Sequence, residues 1–450
     1  MYSEGAVLSI IAIAFITILF FLVSNVIYRA AGIRLKGNGA HPLSLLFIVQ
    51  FCIFSFPGVL AISFFGIQSD RYAGISDSVR FEIGLWYVYS VVIFLFCNIF
   101  FLKIFNVKNY NRYIATNIDS SAARRYVVII VALALLALIA KLIFSKTPPL
   151  VYLISGNAEM AYNARIDIQT NPQSYYLPYI SNIISFLSVF QFYLVFYTYS
   201  FSARKGKSAI ILLIISFVLA ATECLYETQK APIVFLFLGI VFIIYLRSQA
   251  IMKLILMFAI VAIMVVILQA YVIDANLADA LDTSLDRFIL GQNQGFYHII
   301  NSIKPDEKYW FSSFYFIERL GVTPARADID VIPYIDIYKN VDIVNVNSYY
   351  LGEAWSMFGY YGLLLSPVIV GFSVALFVKI LDLLIGFNAI FFIPFSIYII
   401  PEFRINQAFN YFLYGKEFVF KLLMVIFIAL LVSTLERMRV GVIKGNKRES

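Results

Sequence analysis

Charged side chains bordering long apolar runs are the residues of this sequence best placed to do chemistry. Along 156–167, Glu159, Tyr162 and Arg165 recur every three residues, the spacing of one helix face. Arg165 there either joins a surface ion pair or offers its planar fork to phosphate oxygens. Lys230 stands two residues before Pro232 at the start of an apolar helix, where free amides attract anions. It either holds a phosphate or snorkels to the membrane surface. Arg404, in the polar stretch 401–416 between two apolar runs, costs about 2.5–3.5 kcal/mol if it sits centrally in hydrocarbon, so it needs a partner. Glu402 is one choice and a phosphate the other. His298 has the ring type of a general base, although a histidine on a packed helix is more often a polar core or surface residue. Asp328 and Asp330 raise the question of a hard cation, but no glycine-turned calcium loop accompanies them.

These residues must be positioned by membrane helices. Hydrophobic residues make up 62% and charged residues 13% of 450 positions, against roughly 25% charged in a soluble domain. Spans of about 20 residues are expected at 6–28, 43–65, 83–105, 126–144, 180–200, 208–226, 231–247, 251–273, 359–380, 384–400 and 417–435. Lipid offers the backbone no partner, so spans of this length must be helical. The expected class is an all-α polytopic bundle of about 11 spans. No basic residue precedes the first run, whereas Arg29, Arg34 and Lys36 follow it, the reverse of a signal peptide. With the N-terminus outside, the cytoplasmic linkers carry about 19 Lys/Arg against about 4 Asp/Glu. The C-terminus then lies in the cytoplasm. The +8 net charge belongs to that face, which leaves nucleic-acid binding without support. Cys52, Cys97 and Cys224 form neither a disulfide framework nor a zinc spacing and read as small buried hydrophobes. Lys141, Lys379 and Lys421 lie close enough to span ends to snorkel.

The chain divides into 1–273 with eight spans, an outward polar segment 274–357, and 358–450 with three spans and a basic tail. A connection that long is functional or disordered, and this one carries helix signals. One amphipathic helix is expected over 278–301, with Leu281, Leu285, Phe288, Ile289 and Phe296 near helical spacing. A second is expected over 305–321, lying in the membrane interface by its aromatics, which could also stack on sugars.

Thr228-Gln-Lys-Ala-Pro232, Arg287-Phe-Ile-Leu-Gly-Gln-Asn-Gln-Gly295 and Asn347-Ser-Tyr-Tyr-Leu-Gly-Glu-Ala-Trp-Ser-Met-Phe-Gly-Tyr-Tyr-Gly362, taken with the span count and the large outward loop, resemble the bacterial oligosaccharide repeat-unit (O-antigen, Wzy) polymerases. Arg404 and Gly415, with ten residues between them, match a spacing described for some members' outward loops; the long loop has no such pair. The resemblance implies an enzyme of the bacterial inner membrane with a large periplasmic loop containing interfacial helices. It implies a glycan carried on undecaprenyl pyrophosphate, transferred to a hydroxyl of the next lipid-linked unit for O-antigen or capsule, without cofactor or metal. Membrane lipid, a chain-length regulator and a flippase are the implied partners. Such chemistry needs a base for the acceptor and fixed cations for the departing pyrophosphate. The base candidates are His298, Glu318 and Asp328; the cation candidates are Arg165, Lys230, Arg319 and Arg404. A flippase for lipid-linked oligosaccharide and an O-antigen ligase are the alternatives. The first lacks the repeated halves common in transporters, and the second differs only in its acceptor.

Overall fold

The computed structural model describes residues 16–17, 41–107, 120–144, 147–170, 180–202, 205–248, 250–273, 276–312, 324–338, 343 and 345–446. Every regular element among them is a helix. In chain order these are α1 Pro42–Phe64, α2 Asp77–Ile104, α3 Ser120–Phe144, α4 Pro149–Ile154 and α5 Ala158–Thr170. Then come α6 Ile180–Phe201, α7 Lys207–Leu225, α8 Lys230–Ser248 and α9 Ile251–Ile273. The polar segment contributes α10 Leu277–Ile289, α11 Gln294–Ser302, α12 Ala327–Asp330 and α13 Tyr349–Phe358. The chain ends with α14 Tyr360–Phe387, α15 Ala389–Ile399, α16 Asn410–Tyr414 and α17 Lys416–Asn446.

Among the described residues, eight helices are long and apolar enough to cross a membrane: α1, α2, α6, α7, α14 and parts of α3, α8 and α17. The expected span at 6–28 lies outside the described residues, apart from 16–17. The expected spans at 359–380 and 384–400 take a different form. Helix α14 continues to Phe387, and α15 has only 11 residues, half of what a crossing needs. Its residues Phe391–Ile399 are all buried, so its apolarity serves packing against protein.

The contacts group the chain into two units. The first comprises 1–112, 269–382 and 400–415. Its helix α1 departs from regular winding: over Phe47–Ser55 the turns widen to i→i+5. Wide turns of this kind disturb the helical ladder and recur at functional sites. Here the Gln50 carbonyl accepts the Ser55 hydroxyl at 3.0 Å and the Asn406 amide at 3.2 Å. The expected single helix over 278–301 is two helices, α10 and α11, interrupted at 290–293. In the break the Asn293 amide donates to the Ser55 carbonyl at 2.7 Å. Helix α11 packs on α13 at Gly352, where a Cβ would lie 3.4 Å from the Phe296 Cα, and Gly295 approaches the segment before α13, where a Cβ would lie 2.5 Å from the Asn347 carbonyl oxygen. Of the helix expected over 305–321, a single turn at Glu307–Tyr309 is described, and 313–323 lie outside the described residues.

The second unit comprises 113–268, 383–399 and 416–450. Helix α6 is its centre and packs on α3, α7, α8 and α15. Phe186 and Phe190 of α6 meet the Phe395 ring edge-on at 6.0 and 5.9 Å. Tyr193 enters the α8 surface at Gly239, where any Cβ would lie 1.9 Å from its ring, and its hydroxyl donates to the Phe235 carbonyl at 2.9 Å.

Candidate active site

The loop that follows Ile399 carries Arg404 and is fixed on both sides by buried amides of the first unit. Gln50 donates to the Pro401 carbonyl at 3.1 Å, and Ser55 donates to the Asn406 side-chain oxygen at 2.5 Å. The backbone amides of Tyr349 and Tyr350, at the start of α13, donate to the carbonyls of Asn406 and Ile405, each at 2.9 Å. Ser348 adds a hydroxyl bond to the Gln407 carbonyl. Two side chains of α1 and the backbone amides that the start of α13 would otherwise leave unmatched thus hold the loop. Arg404 itself is exposed, while Phe403, Ile405 and Asn406 around it are buried.

Tyr349 begins α13 at φ 47°, a left-handed conformation rare for a bulky residue. Its side chain is buried among Tyr87, Phe51 and Phe296, and its hydroxyl lies 3.2 Å from that of Ser90. Strain held in place by full packing is a recurring mark of functional sites.

One turn further along α13 stands Glu353, which sequence reasoning passed over. Its two carboxylate oxygens accept from the Asn410 backbone amide at 2.9 Å and the Ser312 hydroxyl at 3.2 Å. The Asn410 side chain in turn donates to Ser312 at 2.6 Å. Removal from water pushes the carboxyl up to about 7, with the nearby Asp328 charge acting in the same direction against the Asn410, Phe409 and Ser312 donors. A carboxyl poised there has the proton affinity of a general base or acid at neutral pH. The signal was present in the sequence: Glu353 is the single acidic residue of an aromatic, glycine-punctuated stretch leading into a span.

Asp328 is held by Arg326 through two parallel bonds, 3.1 Å from Nε and 2.5 Å from Nη2. Asp330 turns elsewhere, to the Tyr309 hydroxyl at 3.0 Å and the Lys308 ammonium at 3.3 Å. Asp328 therefore lies near Glu353 as one half of an ion pair, and the guanidinium of Arg326 comes with it. His298 is buried, with Nε2 2.9 Å from the Arg71 carbonyl oxygen. Burial lowers its pKa below the usual histidine value. Arg71 also reaches Asp286, Gln294 and Tyr338, so this group ties α10 and α11 to the 70–72 turn. Glu318 and Arg319 lie outside the described residues.

The remaining candidates belong to the second unit. Arg165 is half-buried on α5, whose Glu159 and Tyr162 are exposed. Lys230 opens α8, with Pro232 in its first turn. Asp328, His298 and Arg404 thus share one compact unit and Arg165 and Lys230 the other. Lys141 does not snorkel. Its side chain is 3% exposed and pairs at 2.6 Å with Glu223, itself 5% exposed, while the Tyr226 ring lies 4.0 Å from its nitrogen. Ser185 donates to the same carboxylate oxygen. Hydrocarbon makes an unpaired ammonium costly, and a carboxylate on the neighbouring helix end offsets that better than a reach to the surface.

Set against protein-family models, curated proteins and solved structures, the chain finds no match in any of the three.

Proposed function

We propose that this chain is a glycosyltransferase-type polymerase that joins undecaprenyl-pyrophosphate-linked oligosaccharide units at the outer face of the bacterial inner membrane. The depth of the polar loop carries this reading. Gln50 and Ser55, which hold the Arg404 loop, lie 14 and 9 residues before the end of α1 at Phe64, or on the order of 10–20 Å along the helix axis. A charged loop set that far into a spanning helix suits a substrate whose own charged group is tethered to the membrane.

In this scheme Glu353 takes the proton of the acceptor hydroxyl as its oxygen bonds to the donor's anomeric carbon. The bond from that carbon to the pyrophosphate oxygen breaks, and undecaprenyl pyrophosphate leaves with the electron pair. Arg404, assisted by Arg326, stabilises the growing negative charge. Glu353 fills the base role better than buried His298 or ion-paired Asp328. The resemblance of 228–232, 287–295 and 347–362 to the O-antigen polymerases supports the same choice of substrate.

The test is the purified chain in liposomes with lipid-linked units. A ladder of lipid-linked multimers is expected, and it should disappear with Glu353→Gln. Glycan appearing only on a second acceptor lipid would make the protein a ligase. Units moved across the bilayer without elongation would make it a flippase.

A further inference from the structure

Helix α10 presents a row of leucines that the described residues of its unit leave largely exposed. Leu277, Leu281 and Leu285 stand four residues apart, on one helix face, and are 61%, 44% and 47% exposed. Away from that row, Ala280 is fully buried and Asp286 pairs with Arg71. Phe288, three residues beyond Leu285 and on the same side, ends the row against Phe54 of α1, the two rings 5.4 Å apart.

Two contacts fix the level of this helix against α1. A Cβ at Gly58 would lie 2.1 Å from the Ile289 carbonyl oxygen, so the end of α10 rests directly on the α1 backbone. Gly58 and Phe54 precede the end of α1 at Phe64 by 6 and 10 residues, or roughly 9 and 15 Å at 1.5 Å per residue. An amphipathic helix at the membrane surface buries its apolar face about 5–10 Å into the headgroup and acyl boundary. The apolar helix α9 ends at Ile273, and Asn276 caps α10 by accepting the Asp279 amide at 2.9 Å.

We propose that the leucine face of α10 is a lipid contact: it lies against the acyl chains of the bilayer that α1 crosses, independently of the reaction assigned to the protein. The charged residues of α10 argue for apolar insertion as the holding force. Asp279, Asp282 and Asp286 outnumber Arg287, so anionic headgroups gain nothing from this helix. The insertion should therefore be the same in neutral and in anionic bilayers.

The experiment places a nitroxide on Leu281→Cys in the full chain with Cys52, Cys97 and Cys224 replaced by alanine, in phosphatidylcholine nanodiscs with and without phosphatidylglycerol. Thr283→Cys, two residues away on another face, is the reference. Collisions with oxygen relative to a water-soluble nickel chelate should be several-fold higher at 281 than at 283, in both lipids. Equal or greater access of the chelate at 281 would overturn the proposal. So would shielding from both relaxants, the mark of a protein partner, or dipolar broadening between labels, the mark of a second copy. With the cysteines intact, benzoylphenylalanine at 281 should cross-link to lipid; a protein adduct in its place would count against lipid contact.

Discussion

The two units use buried polarity differently. In the first, amides and hydroxyls of Gln50, Ser55, Ser348 and Asn406 bond to backbone carbonyls or to one another and hold a loop that carries exposed Arg404. In the second, helices pack through aromatic rings and a buried Gln191–Ser216 pair, and Lys141, Ser185 and Glu223 concentrate charge at one buried point. Neutral bonds to a widened backbone fix a position without trapping a charge. A buried ion pair holds helices together but exposes nothing for a substrate to meet. Catalytic polarity is therefore better sought in the first unit, and substitutions in the two should separate rate from stability.

The largest separation is expected from Glu353→Gln. Its amide oxygen can still accept from Asn410, so the fold should survive while elongation falls by about 10²–10⁴, the usual contribution of a positioned acid or base. Lys141→Met should do the opposite. It leaves Glu223 as an uncompensated buried charge and should destabilise by about 3–5 kcal/mol, whereas Lys141→Met with Glu223→Leu should recover most of the loss. Thermal midpoints in detergent check both, and a stability loss in Glu353→Gln equal to that of Lys141→Met would erase the distinction. Arg404→Ala should slow elongation by about 100–1000-fold at unchanged midpoint, leaving single lipid-linked units. Asn406→Ala removes bonds to both Ser55 and Gln50 and should cost about 1–3 kcal/mol, with a smaller loss of rate because the loop loosens without losing its cation.

Apolar runs made most of the membrane helices legible in the sequence, since composition over about 20 residues suffices to define a span. The same signal overcalled 384–400, because a helix buried in protein is as apolar as one in lipid. Periodicity placed a helical face along 278–301 but could not see the break at 290–293, which depends on Asn293 finding the Ser55 carbonyl 238 positions away. The Lys141 pairing with Glu223, 82 positions apart, was hidden for the same reason. Cations announced themselves beside apolar runs. Glu353 did not, because its chemistry arises from Asn410 and Ser312 closing around it and from the water they displace.

The raised carboxyl carries a pH signature with a definite sign. The fold disfavours ionised Glu353, so its contribution to stability is present below the ordinary value of 4.5 and is lost as pH rises through about 7. A base works in the ionised form, so activity should move the other way. The most direct measurement is the initial rate of elongation of lipid-linked units by the purified protein between pH 5 and 9, for wild type and Glu353→Gln. Wild type should rise with pH to a plateau with a midpoint near 7, and the variant should be slow and flat across that range. A variant that elongates at the wild-type rate with the same profile would contradict the assignment of Glu353 as the base.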